Sequence, residues 1–213
     1  MSTVTIASTD NLNIFGGTAT IQRGSKPSAI EIRANPVTDG SAVKGGNITF
    51  ADAEGGSTTL VNCKPVKTWM SEGNQPDSHG QHCFIFHDRR AHWEALTGAG
   101  QYNLRHKDGS LVAETKASLK ALADDILSIM GETTPDTTLL PTDVYPHVDY
   151  SGSHADALWD ALRRCGCDMA LRPNDTVACF PLGSGSVPAN TGTLTQPNSA
   201  RTEVPDTVKV VMG

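Results

Sequence analysis

The residues whose types could do chemistry are concentrated in one histidine-rich stretch. Five of the seven histidines and one cysteine lie there: His79, His82, Cys83, His87, His92 and His106. A zinc site needs several such ligands to converge within about 2.0–2.3 Å of the metal. In a strand, however, His82 and His87 are an odd number of residues apart and point to opposite faces. Since the paired spacings of known metal motifs are also missing, we expect solvated or hydrogen-bonded histidines and no metal site.

The cysteines are expected to be reduced and mostly buried. There are five of them, at irregular spacing, which is a poor disulfide framework: Cys63, Cys83, Cys165, Cys167 and Cys179. Cys165 and Cys167 form C-x-C, one residue short of the C-x-x-C spacing of redox and zinc sites. A free cysteine packs as a small hydrophobic residue, so these residues predict core thiols.

No pattern for catalysis is found in the sequence. Gly183-Ser-Gly-Ser186 differs from the G-x-S-x-G nucleophile elbow and lies in a polar loop. Asp124 and Asp125 are adjacent, so on a helix their side chains diverge by about 100°, and we expect solvated charges rather than an acid–base pair. Only folding could bring Asp149 and Asp156 together. We therefore predict that the chain is not an enzyme and has no catalytic, cofactor-binding or metal-binding residues.

Other conspicuous residues are expected to make contacts. The charged run His87-Asp-Arg-Arg90 follows a predicted core strand. A charged run in that position favours an ion-pair or interface role over catalysis. Trp69, Trp93 and Trp159 are predicted to be core anchors or contact residues.

Composition limits the class of protein. The chain has 213 residues and a formal net charge of −6, which argues against a protein that coats nucleic acid, because such a protein needs a basic face. Its apolar runs are far shorter than the roughly 20 residues that span a bilayer. The N-terminus does not resemble a signal peptide. We therefore expect neither membrane insertion nor specific nucleic-acid binding.

The elements that must position these residues divide the chain into two halves. Short apolar or alternating segments separated by glycine-rich turns predict strands at 28–33, 47–50, 58–61, 82–87 and 101–105. In the first of these, Ile30 and Ile32 share one face. The last is expected to run into a hairpin turn at Asp108-Gly109. This pattern predicts an antiparallel β-barrel or sandwich over residues 1–112.

From residue 113 the hydrophobic period becomes helical. Leu119 to Met130 has the spacing of an amphipathic helix that ends at Gly131. A polar loop (132–143), a short strand (144–150), a second helix starting at Ser153 and two strands (168–172 and 176–180) around a tight turn follow. Leu158 and Leu162 lie on one face of the second helix. Residues 113–182 therefore form a predicted α-β-α-β-β module, and the fold class is α+β.

The last part of the sequence leaves two alternatives open. Residues 183–206 are rich in Gly, Ser, Thr, Pro and Asn and predict a long loop or linker. Residues 207–213 predict the start of a further strand. That strand either adds to the sheet of the preceding residues or opens another β domain of a longer protein.

Four stretches of the sequence resemble a known family. Ser-x-x-Asp-Ala-Leu-Trp-Asp-Ala-Leu with Cys-Gly-Cys, from Ser153 to Cys167, precedes Met-Ala-Leu-Arg-Pro-Asn-Asp-Thr-Val-Ala-Cys, from Met169 to Cys179. Together with Phe84 to Arg90 and the Gly-x-Gly-Gln-Tyr segment from Gly98, they resemble the hub and baseplate (distal tail) structural proteins of tailed bacteriophages. The resemblance covers about residues 80–213, and it favours the second alternative for residues 207–213, a strand that opens a further β domain.

The resemblance implies a structural role in a phage tail. Its implications are self-association into a ring, with a trimer favoured and a hexamer as the alternative, and contacts with tail tube, tip or fibre proteins. The protein would be made in the host cytoplasm and end in the virion. Contacts are expected at 132–143 and 183–206. The competing interpretation is a carbohydrate-binding or hydrolytic β domain of a tail-associated enzyme, which would need an acidic cleft with aromatic platforms.

Overall fold

The structure, a computed structural model, describes residues 3–6, 14–35, 44–51, 57–71, 81–172, 174–184 and 207–212. The first six strands are β1 (Thr3–Ile6), β2 (Ile14–Gln22), β3 (Ala29–Ala34), β4 (Gly46–Ala51), β5 (Ser57–Ser71) and β6 (Gln81–His87). A 3-10 helix (Arg89–Ala95) follows. The second half contains β7 (Thr97–Tyr102), a short 3-10 turn (Ala113–Thr115), α1 (Leu119–Ile129), β8 (Val148–Ser153), α2 (His154–Arg164), β9 (Cys167–Leu171) and β10 (Val177–Pro181), and β11 (Thr207–Met212) comes last.

Seven strands form one curled antiparallel half-barrel, in the order β1-β4-β5-β6-β3-β2-β11. β6, the predicted core strand, lies at its centre, paired with β3 and β5. Ile30 and Ile32 share one face as predicted, and they are fully buried in one cluster with Phe84 and Phe86 of β6. The prediction of an α+β fold with an N-terminal β-barrel or sandwich is therefore confirmed as a half-barrel.

β5 is much longer than the sequence predicts. Residues 58–61 are in it, but it continues to Ser71, pairing first with β4 and then with β6. The bend is built from residues that ordinary strands avoid. Asn62 has a φ of 51°, and the β5–β6 register shifts between Pro65 and Lys67. Proline has no N–H to donate to the neighbouring strand, and sheets accommodate it at bulges. The strand therefore continues through Pro65, although the sequence pattern of a strand is interrupted there.

The second hydrophobic cluster belongs to the module. It packs α1 and α2 against β9 and β10, with Leu122, Ile126, Leu158 and Leu162 fully buried, and it includes Trp93. The predicted order α-β-α-β-β is confirmed by α1, β8, α2, β9 and β10. Since Trp93 precedes residue 112, packing joins part of the first predicted range to the module. The domain ranges themselves stay predictions.

Both ends of α1 are capped, and the cap at Gly131 is the one that the sequence predicts. Ser118 accepts a hydrogen bond from the Ala121 amide at 3.2 Å. At the other end Gly131, with φ 82°, donates to the Ser128 carbonyl, and the Glu132 amide donates to Leu127. These two bonds are the Schellman motif, which needs a residue with positive φ and is therefore usually closed by glycine.

The predicted strand at 101–105 is wrong in its bounds and its partner. β7 ends at Tyr102 and pairs with β8, and β8 begins at Val148 rather than at residue 144. Asn103 explains the end of β7. It has a φ of 56°, and its buried amide nitrogen donates to the Ala117 and Pro146 carbonyls. The predicted turn at residues 108–109 is present, flanked by an isolated Arg105–Leu111 bridge.

The last three strands lie in two different sheets. β9 and β10 pair antiparallel, and the Arg172 carbonyl accepts from the Asp175 amide at 3.0 Å across their turn. Residues 185–206 lie outside the described residues. β11 pairs with β2 of the same chain, at the edge of the half-barrel. β11 thus adds to the sheet of the preceding residues, and the opening of a further β domain stays a prediction. The side chains of its valines lie outside the described residues.

Candidate functional site

The junction between half-barrel and module is the most elaborate polar site of the described chain. Its centre is a buried ion pair between Arg90 and Asp88, at 2.8 Å. Arg90 also donates to the carbonyls of Gln22 and Gly24, at 2.8 and 3.0 Å, and to the Ser28 hydroxyl at 3.0 Å. Asp88 in turn accepts from the Ser28 amide at 2.8 Å. A charge in the interior needs such full pairing, so this network holds the β2–β3 loop on the end of β6.

A second ion-pair network reaches from the same 3-10 helix into the module. Arg89 donates to both carboxylate oxygens of Glu132, at 2.6 and 3.0 Å, and to the Asp175 carboxylate. Trp93 donates its indole N–H to Glu132 at 3.0 Å, and Asn62 on β5 donates to Asp175 at 2.6 Å. Burial alone would lower the pKa of Arg89, but its two carboxylate partners raise it. The guanidinium therefore stays charged and ties β5, α1 and β10 together.

The predicted ion-pair role of the charged run 87–90 is confirmed by these two networks. Because Arg89 and Arg90 are consecutive, they project to different sides, one toward the module and one toward the half-barrel. The 3-10 helix that carries them is capped at its N-terminus by Asp88, whose side chain accepts from the Arg90 amide.

The β2–β3 loop also contacts α2 directly. Ser25 donates to the Asp156 carboxylate at 2.5 Å, and the Gly24 amide donates to the Met169 carbonyl at 2.8 Å. Gly24 has a φ of 77°, and a Cβ there would lie 2.5 Å from the Trp159 ring. Only glycine combines that conformation with so close an approach.

Trp159 is held from the other side by Asp168. The indole N–H donates to Asp168 at 3.1 Å, and the Met169 amide donates to the same oxygen at 2.8 Å. The second Asp168 oxygen is buried without a hydrogen-bond partner, 3.6 Å from the Arg163 guanidinium. Arg163 also lies 5.8 Å from the centre of the Trp159 ring. The prediction that Trp93 and Trp159 are anchors or contact residues is thus confirmed, while the Trp69 side chain is outside the description.

Two clefts flank the junction, with volumes of about 330 and 380 Å³. The first is lined by Ser25, Lys26 and Asp156 among others, and the second by Arg89, Glu132 and Asp175 among others. The Asp156, Glu132 and Asp175 carboxylates are all engaged in the bonds described above. Through these bonds the three carboxylates join elements of the half-barrel and the module.

The histidines do not converge in the part of the chain that is described. In β6, His82 pairs with Ala34 and His87 with Ala29, so the odd spacing does put them on opposite faces. His92 and His106 are exposed, and His79 lies outside the described residues. Among the residues described, no three His, Cys, Asp or Glu side chains are placed to hold a metal ion.

The cysteines are free thiols in the structure. Four are buried and Cys165 is half-buried, and burial raises the pKa of Cys63 and Cys179 to about 12. Such thiols remain protonated and unreactive at neutral pH, as the prediction of core thiols requires.

The remaining acidic candidates are apart and occupied. Asp124 pairs with Lys120 at 2.6 Å, and Asp125 accepts from the Tyr102 hydroxyl at 2.6 Å. Asp149 lies beside Gln101 on the β7–β8 pair. Asp125 is exposed, as expected of a solvated charge, and its bond to Tyr102 on β7 is an additional surface contact. No helix in the described part is long and apolar enough to cross a membrane.

One contact was missed although the sequence contains a signal for it. Tyr150 and His154 are hydrogen-bonded at 2.7 Å over the β7–β8 pair. A Cβ on Gly98 would lie 2.7 Å from the His154 ring, and one on Gly100 would lie 2.6 Å from Tyr150. The Gly-x-Gly spacing of β7 makes room for two rings on one face. The sequence contains no such signal for the contacts of Ser25, Ser28, Glu132 or Asp175.

Comparison with known proteins extends the description of the fold. No family model and no curated protein matches the sequence. Several solved structures do match the fold. One is a type VI secretion system component of E. coli, which is described as structurally similar to bacteriophage tail proteins. It has a TM-score of 0.55 at 12% identity over 87% of this chain. A tail protein from Neisseria meningitidis MC58 and the 43 kDa tail protein of prophage MuSo2 from Shewanella oneidensis each have a TM-score of 0.52 at 10% identity over 84% of this chain.

The chain spans about half the length of each of these proteins: 50% of the E. coli and Neisseria chains and 53% of the Shewanella chain. The shared region is too long to be the half-barrel or the module alone. The chain therefore has a fold found in phage tail proteins and in a type VI secretion system component.

Proposed function

We propose that this chain is a non-catalytic structural component of a phage tail, a hub or distal tail protein that assembles into a ring joining the tail tube to the tip. One observation carries the proposal: the similarity to two tail proteins extends over 84% of the chain, and so includes both half-barrel and module. The virion is the corresponding location. A trimeric ring is favoured, and tail tube, tip or fibre proteins are the expected neighbours.

The junction suits a part that transmits force. Buried ion pairs are directional and leave unpaired charges when broken, so a network of them resists separation of the parts it joins. Here Arg90 connects the β2–β3 loop to β6, and Arg89 connects the same 3-10 helix to Glu132 and Asp175. Half-barrel and module would move as one body within the ring.

The polar loop 132–143 is the surface we propose for contacts between neighbours in the assembly. Its backbone is held by Asp136, whose amide donates to Val177 and whose carbonyl accepts from Cys179, both at 2.8 Å. Leu140 is buried beneath it, whereas the neighbouring Leu139 is 53% exposed. A loop with a fixed backbone and an outward leucine can bind a partner at little entropic cost. The linker 183–206 is the second proposed contact.

Light scattering at several concentrations tests the ring. The expected mass is that of a trimer or hexamer, and electron microscopy of the same sample should show closed rings. Leu139→Ser should shift the distribution toward the monomer. Leu182→Ser is the matched control, since Leu182 is also exposed, at 46%, but lies outside the proposed contacts. A monomer at all concentrations would contradict the ring and favour the competing interpretation of a binding domain.

A further inference from the structure

The two strand pairs of the module differ in how their outer edges are covered. The β9–β10 pair receives backbone bonds at both edges: the Gly24 amide donates to the Met169 carbonyl of β9, and Asp136 exchanges two bonds with β10. In contrast, β7 makes no backbone hydrogen bond with any described residue outside its ladder with β8. Its outer edge therefore presents N–H and C=O groups with which another strand can pair.

β7 lacks the features that usually keep an edge strand from pairing. Its sequence, Thr-Gly-Ala-Gly-Gln-Tyr, contains no charged residue and no proline, and its register with β8 has no bulge. Thr97, Ala99 and Gln101, on its outer face, are all exposed. The β8 edge is less suitable, since it carries the exposed charge of Asp149 and a φ of 143° at Gly152. β7 is therefore the edge suited to the addition of a strand.

The charges at the two ends of β7 indicate a second copy of this chain as the partner. Glu94 precedes the strand, and Arg105 and Lys107 follow it. All three are exposed, and none makes an ion pair with another described residue. When two β7 strands pair antiparallel, the start of each lies beside the end of the other. The acidic end of one copy then lies nearest the basic end of the other, which favours the pairing.

We propose that the outer edge of β7 binds β7 of a second copy, antiparallel, with Ala99 opposite Ala99 of the partner subunit. Opposed residues of an antiparallel ladder alternate between hydrogen-bonded and non-hydrogen-bonded pairs. A two-fold axis must therefore pass through a pair of identical residues. Ala99 is the centre that keeps the pairing within 97–101, before the left-handed Asn103. Such a contact is self-complementary, and it goes beyond the proposed ring, because two copies are enough to form it.

Single cysteines on the exposed face of β7 test the pairing and its register. Full-length Ala99→Cys, Thr97→Cys and Gln101→Cys chains are each oxidised and run on a denaturing gel, and the unmodified chain gives the background from the native cysteines. We expect Ala99→Cys alone to form a covalent dimer, because its cysteine meets its own copy. The other two variants are matched controls on the same face, and each alone should give at least tenfold less dimer. Mixed together, they should join to each other, since Thr97 lies opposite Gln101 of the partner subunit.

A charge variant gives a second measurement that needs no oxidation. Ala99→Lys places two ammonium groups directly opposite each other across the two-fold axis, and like charges in that position repel. We expect sedimentation equilibrium to show at least tenfold weaker association than for Ser151→Lys, which is exposed on the same face of β8. Mixing Ala99→Lys with Ala99→Glu should restore the association.

The outcomes separate this contact from the ring. Equal dimer from all three cysteine variants, or none from any of them, would overturn the β7 contact. If light scattering shows a ring but Ala99→Cys gives no covalent dimer, the β7 contact is overturned and the proposed function stands. A covalent Ala99→Cys dimer without any larger assembly would support the contact and contradict the ring. A monomer at all concentrations would overturn both.

Discussion

At the scale of single residues, the junction depends on one arginine that is completely enclosed. Arg90 is 1% exposed and meets Asp88, Ser28 and two backbone carbonyls. The polar groups around it are satisfied by its guanidinium. Removing the Arg90 side chain leaves the Asp88 carboxylate buried without its principal counter-charge. An uncompensated buried charge strongly lowers the stability of the folded state.

Arg90→Ala should therefore lower the free energy of unfolding by about 3–5 kcal/mol. Arg33→Ala is the control, because Arg33 pairs with Glu31 at 3.0 Å on the surface, where such pairs contribute about 0–1 kcal/mol. Urea denaturation of both variants measures the difference. Equal effects would show that the Arg90 network does not stabilise the fold.

Comparing Gly24→Ala with Gly109→Ala distinguishes a steric clash from backbone strain. Gly24 and Gly109 both have positive φ, 77° and 86°, but only at Gly24 would a Cβ meet a neighbour, the Trp159 ring. Gly109→Ala should cost about 1–2 kcal/mol, for the left-handed conformation alone. Gly24→Ala should cost about 1–3 kcal/mol more, because overpacking adds to that strain. Thermal unfolding with Trp fluorescence checks this, and indistinguishable melting temperatures would contradict the close approach.

At the scale of elements, α2 contributes to both the module core and the junction with the half-barrel. Ser153 caps it by accepting from the Asp156 amide at 3.1 Å. The Asp156 carboxylate does not complete a capping box, since it is used by Ser25 of the β2–β3 loop. Its inner face carries Leu158 and Leu162, both fully buried. One short helix thus fastens the module core to the half-barrel.

Leu158→Ala or Leu162→Ala should destabilise the protein by about 2–5 kcal/mol through the cavity each leaves. Asp160→Ala on the outer face of the same helix is the control. Its ion pair with Arg164 is exposed, so its loss should cost less than about 1 kcal/mol. Urea denaturation monitored by circular dichroism compares them. Similar losses for inner and outer positions would show that the helix faces are misassigned.

The loop 132–143 should loosen in acid. Hydrogen bonds from Thr138 and the charge of Arg172 hold the pKa of Asp136 below its ordinary value of 3.8. A depressed carboxylate pKa stabilises the folded state above the unfolded value, and that stability is lost as pH falls through the folded pKa. Between pH 5 and about 2, Asp136→Asn should therefore lose less stability than the unmodified chain. Denaturation midpoints across this range measure it, and parallel curves would contradict the assignment.

At the scale of the whole molecule, two hydrophobic clusters of the described residues are joined at the 3-10 helix. Trp93 is part of the module cluster, and β7 pairs with β8. A cut at residue 112 would therefore separate the module from a core residue and from a strand. We propose that the unit able to fold by itself begins near Asp88.

Two fragments test that boundary. Residues 88–184 should unfold cooperatively, because they retain Trp93 and the β7–β8 pair. Residues 113–182 should show a broad transition and bind a hydrophobic dye, because β8 has no partner and the core is open. Calorimetry and dye fluorescence distinguish them. A cooperative transition in the shorter fragment would restore the boundary at 112.

The sequence alone determined the elements whose signals are local. The alternation of Ile30 and Ile32, the helical period from Leu119 to Met130 and the glycine after it all arise from residues a few positions apart. Hydrophobic periodicity and cap hydrogen bonds act over that distance. The half-barrel strands and the order of the module could be predicted for this reason.

Only the tertiary structure decided which elements meet. Arg89 finds Glu132 and Asp175 at separations of 43 and 86 residues, and Asn62 finds Asp175 across 113 residues. β7 pairs with β8 and not with the hairpin that follows it. The continuation of β5 through Pro65 likewise depends on β6 lying beside it. Such pairings are selected by the packing of whole elements, whose energy no short window of sequence contains, so the junction became visible only once the chain was folded.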